Sequence, residues 1–152
     1  MTTDSGGGEH RIVVGVDGSV SSKTALAWAV EQARLTGAVV EAVIAWEIPI
    51  TPRNPWPVAL FTDFKSIAAE TVADAIAQAS GSARQVEIRP VVVEGNAAQA
   101  LLDASAGADL LVVGSRGHAG FVGALLGSVS QHCVHHSSCP VVVIRDSVAA
   151  GH

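Results

Sequence analysis

Five short runs rich in valine and isoleucine, separated by longer stretches with helical spacing, constrain the fold of this chain more than any other feature. At least three of the runs are apolar on both faces, a pattern typical of central strands in a parallel sheet that helices cover on both sides. The five runs span residues 12–17, 38–46, 86–93, 109–114 and 140–145.

Four helices are predicted between these strands, because apolar residues recur there at intervals of three and four. The first begins with serine and ends at Gly37, and Asn96 caps the third with Gln99 at the capping-box position. The four predicted helices span 19–37, 58–80, 96–107 and about 123–136.

Regular alternation of strand and helix predicts one α/β domain, a three-layer α/β/α arrangement around a doubly wound, five-stranded parallel sheet. We take the order of its strands to be 3-2-1-4-5. We place the domain at residues 10–146, with a disordered polar leader at 1–9 and a disordered tail at 147–152. The stretch 47–57 contains four prolines, so it is predicted to be a surface loop or lid.

Composition excludes several classes of protein. Hydrophobic residues make up 49% of the chain and charged residues 15%, so most of its length is not disordered. Nine lysines and arginines, spread thinly at a net charge of −5, do not predict a nucleic-acid partner. No apolar run approaches the roughly 18 residues of a membrane span, and the start lacks the apolar core of a signal peptide. With two cysteines in addition, we expect a cytoplasmic protein without a structural disulfide.

The glycine-rich stretch GSRGHAGFVGALLGSVS, residues 114–130, follows the fourth strand. In the predicted sheet the strand order reverses between strands one and four, and ligands of such sheets bind beyond the carboxyl ends at that point. Gly114 and Gly117 would let the chain turn sharply. If the last helix starts late, near Leu126, the amides of residues 127–130 would lie at its start, where they attract anions. Neither a P-loop nor a GxGxxG fingerprint is present. The stretch predicts a site for a di- or triphosphate.

The spacing Gly114-x2-Gly117-x9-Gly127-Ser128 resembles the G-x2-G-x9-G-[S/T] motif of the universal stress protein family, in its ATP-binding branch. RIVVGVDGS at 11–19 resembles the family's first strand and turn, and residues 125–145 resemble its last helix and strand. The resemblance covers residues 10–145.

This resemblance implies a Rossmann-like fold of the adenine nucleotide alpha hydrolase-like type, in a homodimer whose subunits each bind ATP. Asp17 would then lie by the ribose and phosphates or hold Mg²⁺, Gly15 and Val16 would line the nucleotide, and Ala45 or Trp46 would contact adenine. The residues implied to hold ribose and phosphates are Gly114, Arg116, Gly117, Gly127, Ser128, Val129 and Ser130.

Each of these residues also has a structural interpretation that the sequence leaves open. Asp17 is otherwise an Asx-turn residue that closes the first loop, and its place where the strand order reverses favours the ligand role. Arg116 is a solvated loop residue if it does not contact phosphate, and Ser128 and Ser130 are otherwise ordinary residues of a first helical turn.

Histidines and cysteines cluster near the end of the chain, at His132, Cys133, His135, His136 and Cys139. His132 and His136 would share a helix face and invite a metal ion, but Cys133 points about 100° away and suits the buried stripe, so we favour a core role for this thiol. The apolar strand 140–145 lies at the sheet edge, where a second copy would pair with it. A homodimer through this strand is predicted.

Taken together, these features favour an ATP-binding regulator in a stress response, without efficient catalysis. A P-loop lysine is absent, and the nearest candidate base is His118, in the glycine-rich stretch. Two alternatives stay open: a hydrolase of adenine nucleotides, or a dimeric scaffold that binds a cyclic nucleotide or none. No membrane partner is expected.

Overall fold

The structure, a computed structural model, describes residues 9–48, 63–80, 86–115 and 127–145. Strands and helices alternate along these residues, as the sequence predicts. In chain order they are β1 (Arg11–Gly15), α1 (Val20–Thr36), β2 (Val39–Trp46), α2 (Phe64–Ala79), β3 (Ile88–Glu94), α3 (Ala97–Ser105), β4 (Leu110–Gly114), α4 (Ser128–His136) and β5 (Val141–Ile144).

The five strands form one sheet in the order β3-β2-β1-β4-β5, and every neighbouring pair is parallel. The predicted strand order is therefore confirmed. Val14 lies between Ala42 of β2 and Val112 of β4, so β1 occupies the centre of the sheet. Because all strands run the same way, the carboxyl ends of β1 and β4 meet at one edge, where the strand order reverses.

Helices cover both faces of the sheet, which is why its central strands are apolar on both sides. Val14 and Val112 face a core shared with α1 and α2, whereas Val13 and Leu111 face a second core shared with α3 and α4. All four side chains are fully buried. Along the described ranges, no helix combines the length and apolarity needed to cross a membrane.

The ends of α1 and α3 follow from capping side chains. The Ser19 hydroxyl accepts a hydrogen bond from the Ser22 amide (3.1 Å), and Gly37 ends α1 in the left-handed region at φ 80°. Asn96 accepts from the Gln99 amide (3.0 Å), which confirms it as a cap. The Gln99 side chain donates forward to Asp103 (2.8 Å), so it does not complete the predicted capping box.

Two predicted helix starts are too early. Asp63 is the N-cap of α2 and accepts from the Ser66 amide (3.0 Å), so this helix begins at Phe64, not at 58. Gly127 is the N-cap of α4, which begins at Ser128 and not near 123. In both cases the apolar spacing continues upstream of the cap, and periodicity alone gives no boundary. Residues 58–62 and 121–126 lie outside the described residues.

The apolar spacing of α1 predicts an inward stripe that includes Trp28 and Leu35, and the observed inward face is rotated from it. Leu35 was expected to face the core but is 63% exposed, whereas Leu26 and Val30 are buried. Trp28 packs against the core from its margin, which agrees with its predicted core role.

At the opposite end of the strands, Arg11 ties three elements together. Its Nη1 donates to Glu41 of β2 (2.8 Å) and to the carbonyl of Ala104 in α3 (3.1 Å), and its Nη2 donates to the carbonyl of Ala106 (2.9 Å). The Ala104 and Ala106 carbonyls at the end of α3 thereby gain donors that the helix does not supply.

Most of the predicted leader, tail and proline-rich loop lies outside the described residues. Glu9 is the described residue of the leader, and its carboxylate accepts from Arg89 of β3 (2.6 Å). The hydrogen bond from Arg89 is the main cause that lowers the pKa of Glu9.

Candidate functional site

The carboxyl edge of the sheet gathers the predicted site residues that the structure describes. Gly15 ends β1, Trp46 ends β2 and Gly114 ends β4, and α4 starts after the connection that leaves β4. Arg116 and Gly117 fall outside the described residues. The remaining predicted site residues are Val16, Asp17, Ala45, Gly127, Ser128, Val129 and Ser130.

Asp17 is exposed and shapes the turn between β1 and α1. Its Oδ1 accepts from the Ser19 amide (2.9 Å), which is an Asx turn, and its own amide donates to the Ser22 hydroxyl (3.2 Å). Gly18 between them has φ 85°, a conformation that glycine adopts without strain. The turn interpretation of Asp17 is therefore correct, and it leaves an exposed carboxyl group at the carboxyl edge of β1.

The structure shows why residue 114 is a glycine, which the sequence alone does not reveal. Gly114 stays within β4, opposite Ile144 of β5, so it does not make the sharp turn that we predicted there. A Cβ atom at this position would lie 2.9 Å from both the carbonyl carbon and the carbonyl oxygen of Ser21 in α1. The missing side chain lets the first turn of α1 rest directly against the end of β4.

Gly15 is also packed closely, but against a side chain. A Cβ atom there would lie 2.8 Å from Cδ1 of Leu101, at the flexible end of that residue in α3. Gly15 and Gly114 thus bring one helix from each face of the sheet close to its carboxyl edge.

The first turn of α4 presents backbone amides without helical acceptors. Gly127 has φ −70° and ψ 167° and offers no side-chain cap, and its amide donates to the Ser115 carbonyl (2.6 Å). The first bond of the helix runs from the Gln131 amide to the Gly127 carbonyl (2.9 Å). The amides of residues 128–130 precede that bond, so the helix supplies them with no acceptor. Such a turn attracts anions.

The two serines of this turn differ. Ser128 is exposed, whereas Ser130 is 3% exposed, with its hydroxyl 3.1 Å from the Gly127 carbonyl and 3.4 Å from the Ser115 carbonyl. The Ser130 hydroxyl therefore joins α4 to the end of β4. The group that Ser130 can offer a ligand is its backbone amide. The carbonyl of Ser115, a residue that the sequence did not single out, accepts from the Gly127 amide and the Ser130 hydroxyl, and its amide donates to the Ile144 carbonyl (2.8 Å). Its position directly after a buried strand is the one available signal.

The residues predicted near adenine lie on different faces of the sheet. Trp46 packs against the core under α1 and α2, and Ala45 packs against the core under α3 and α4. Val16 is buried, and its amide donates to the Val43 carbonyl (2.8 Å), which extends the pairing of β1 with β2. A ligand on one face of the sheet would therefore meet the side chain of only one of Ala45 and Trp46.

The histidine and cysteine cluster divides into a buried part and an exposed part. Cys133 is fully buried in the core under α3 and α4, and burial raises the pKa of its thiol to about 11, so its predicted core role is confirmed. Cys139 is partly buried beside the Ser137 hydroxyl. Both thiols are free, and the three histidines of α4 are exposed. Over the ranges that the structure describes, no three histidine, cysteine or acidic side chains converge as metal ligands.

A cavity of about 350 Å³ lies at the amino edge of the sheet, away from the glycine-rich stretch. His10 and Asp109 line it and are joined by a 2.8 Å ion pair, and the other lining residues include Gln32 and Thr36 of α1. Nothing in the sequence pointed to this cavity.

Curated proteins similar to this chain are universal stress proteins. A universal stress protein of Mycolicibacterium smegmatis is 35% identical over an alignment of 153 positions, which covers 95% of this chain and 51% of that protein. The chain thus spans about half the length of the curated relatives it matches.

Solved structures give the same result. Universal stress protein UspA from Lactobacillus plantarum has a TM-score of 0.75 at 23% identity, with 90% of this chain and 97% of that chain covered. A universal stress protein in complex with cAMP is 29% identical with a TM-score of 0.57, over 89% and 95% of the two chains. The family model described as the universal stress protein family matches residues 9–145. This chain belongs to the universal stress protein family.

Proposed function

We propose that this chain binds ATP at the carboxyl edge of the sheet between β1 and β4 and acts as a nucleotide-dependent regulator in a stress response. The observation that carries the proposal is the first turn of α4, where the amides of residues 128–130 have no helical acceptor and no side chain of the described residues caps the helix. A row of such amides at the positive end of a helix suits a polyphosphate. The relative in complex with cAMP supports an adenine nucleotide as the ligand class.

The other predicted residues have roles that fit their positions. The exposed carboxyl group of Asp17 would hold Mg²⁺, a cation that prefers oxygen ligands and that would neutralise part of the phosphate charge. Gly15 and Val16 would line the nucleotide, and Ala45 or Trp46 would contact the base. Gly114, by leaving room for α1, would keep the crevice narrow, and Arg116 and Gly117 would add phosphate contacts.

We expect binding and release of the nucleotide, not rapid turnover. The chain has no P-loop lysine, and no carboxylate or histidine pair was identified beside the phosphate positions in the sequence. Slow hydrolysis is compatible with this proposal, and efficient hydrolysis is not.

The test of this function is whether the protein carries and responds to a nucleotide. Protein purified without added ligand and then denatured is expected to release adenine nucleotide, detected by chromatography. With Mg-ATP at about 100 times its dissociation constant, the free energy of unfolding should rise by roughly 2.7 kcal/mol. Asp17→Asn keeps an oxygen for the Asx turn but loses the charge, so it should retain stability and lose the Mg²⁺-dependent part of the affinity.

Three outcomes would contradict parts of the proposal. If no nucleotide is released and neither ATP, AMP nor cAMP shifts the melting temperature, the protein is a scaffold without a nucleotide. A shift with cAMP alone would make a cyclic nucleotide the ligand. Rapid phosphate release that Asp17→Asn abolishes would identify a hydrolase.

We further propose a homodimer through the edge strand at residues 140–145. Val141–Ile144 of β5 pair with β4 on one side only, and all four residues are half-buried within the single chain. An edge strand of this composition favours pairing with a second copy.

The dimer can be tested with one proline. The carbonyls of Pro140 and Ile144 accept hydrogen bonds from the amides of Leu111 and Ser115. Because the backbone groups of successive residues in a strand point to opposite sides, the amide of Val143 points away from the sheet. Val143→Pro removes that outward amide and leaves the pairing with β4 intact, and Val143→Ala is the control. In sedimentation the wild type and the alanine variant should be dimers and the proline variant a monomer. A monomeric wild type, or a dimeric proline variant, would overturn this interface.

A further inference from the structure

We propose that His132 and His136 form a surface site for one divalent transition-metal ion of the kind that imidazole nitrogen prefers, such as Zn²⁺, Ni²⁺ or Cu²⁺. The two residues are four apart in α4 and therefore share one face of the helix. Their ring centroids are 4.5 Å apart with 41° between the ring planes, and both residues are exposed.

The separation of the rings matches that of two imidazoles on one ion. A metal–nitrogen bond of about 2.1 Å places each ring centroid about 3.2 Å from the ion, so two ligands at about 90–110° have centroids about 4.5–5.2 Å apart. The two rings already lie at the short end of this range. Little adjustment of the side chains is needed for both to bind together.

Among the described residues, no hydrogen-bond partner holds either imidazole. Within the described part of the chain, neither His132 nor His136 takes part in a hydrogen bond or an ion pair. His136 lies in the last turn of α4, where the helix dipole favours positive charge, and the helix contains no lysine or arginine.

The neighbouring ligand types do not belong to the site. Cys133 is buried on the core side of α4, and the Sγ of Cys139 lies against the Ser137 hydroxyl. The ring of His135 lies 6.5 Å from that of His136, edge to face, too far for a shared ion. The protein thus supplies two nitrogen ligands, and water molecules complete the coordination of the ion. By the usual order of affinities among divalent transition metals, Cu²⁺ should bind most tightly.

The experiment uses the full chain without a histidine tag and freed of nucleotide. Titration calorimetry with NiCl₂ should show one ion per chain, and His132→Ala and His136→Ala should each weaken binding at least tenfold. His135→Ala, an exposed histidine on the same helix, is the matched control and should bind as the wild type does. With one equivalent of CuCl₂, the electron paramagnetic resonance spectrum should show hyperfine splitting from two nitrogens.

The proposal is overturned if both single variants bind Ni²⁺ as the wild type does, or if His135→Ala weakens binding as much as they do. The titration is repeated with His132→Gln and His136→Gln, whose side chains are polar and longer than that of alanine. Circular dichroism shows whether α4 is intact in these variants. Modification of histidines by diethyl pyrocarbonate gives an independent measure. Bound Ni²⁺ should protect His132 and His136 and leave His135 reactive, and equal reactivity of all three would contradict the site.

Discussion

Gly114→Ala is expected to lower the free energy of unfolding by about 2–3 kcal/mol, since inserting atoms into a closely packed site forces the backbone to shift. The added methyl group would lie 2.9 Å from the Ser21 carbonyl carbon and oxygen, and a main-chain group inside α1 cannot rotate aside as a side chain can. Urea denaturation of the nucleotide-free protein measures the change directly.

Gly15→Ala is the matched control for this prediction. Its methyl group would meet Cδ1 of Leu101 at 2.8 Å, and the end of a leucine side chain can change rotamer at smaller cost. We expect a loss of about 1 kcal/mol or less for this variant. Equal stability losses at the two positions would show that the approach of α1 to β4 is not what requires glycine at 114.

Ser128→Pro is expected to weaken binding of ATP about 10- to 100-fold, because a hydrogen bond to a charged group contributes about 1.5–3 kcal/mol. Proline removes the amide hydrogen at the first position of α4, which is the helical position that best tolerates it. Gly127 already has ψ 167°, a conformation compatible with a following proline, so the fold should be preserved. Calorimetric titration with Mg-ATP provides the measurement.

Ser128→Ala separates the amide from the hydroxyl. This variant keeps the amide hydrogen, so its affinity for ATP should stay much closer to that of the wild type. If the proline variant unfolds in urea like the wild type and also binds ATP like the wild type, the first amide of α4 does not hold a phosphate. If the alanine variant loses as much affinity as the proline variant, the hydroxyl is the ligand group instead.

The central position of β1 in a parallel sheet could be predicted because the pattern that indicates it is local. Val13 and Val14 are adjacent and both apolar, and a strand buried on both faces requires that pattern. Helix boundaries were harder to predict, because apolar spacing extends upstream of Asp63 and of Gly127. Only the capping geometry separates the helix from the preceding connection.

The candidate site was predictable in position but not in detail. The carboxyl ends of β1 and β4 follow from the strand order, and Asp17 and the start of α4 follow from them. The close contact of Gly114 with Ser21 joins residues far apart in the chain, and no local pattern records it. The inward hydroxyl of Ser130 was missed for the same reason, since its acceptors include the carbonyl of Ser115 across the connection.

The hydrogen bond from the Gly127 amide to the Ser115 carbonyl joins the end of β4 directly to the start of α4. The amides of residues 128–130 are therefore oriented by the sheet itself. A phosphate held there, as proposed above, would keep a fixed distance from the carboxyl end of β4.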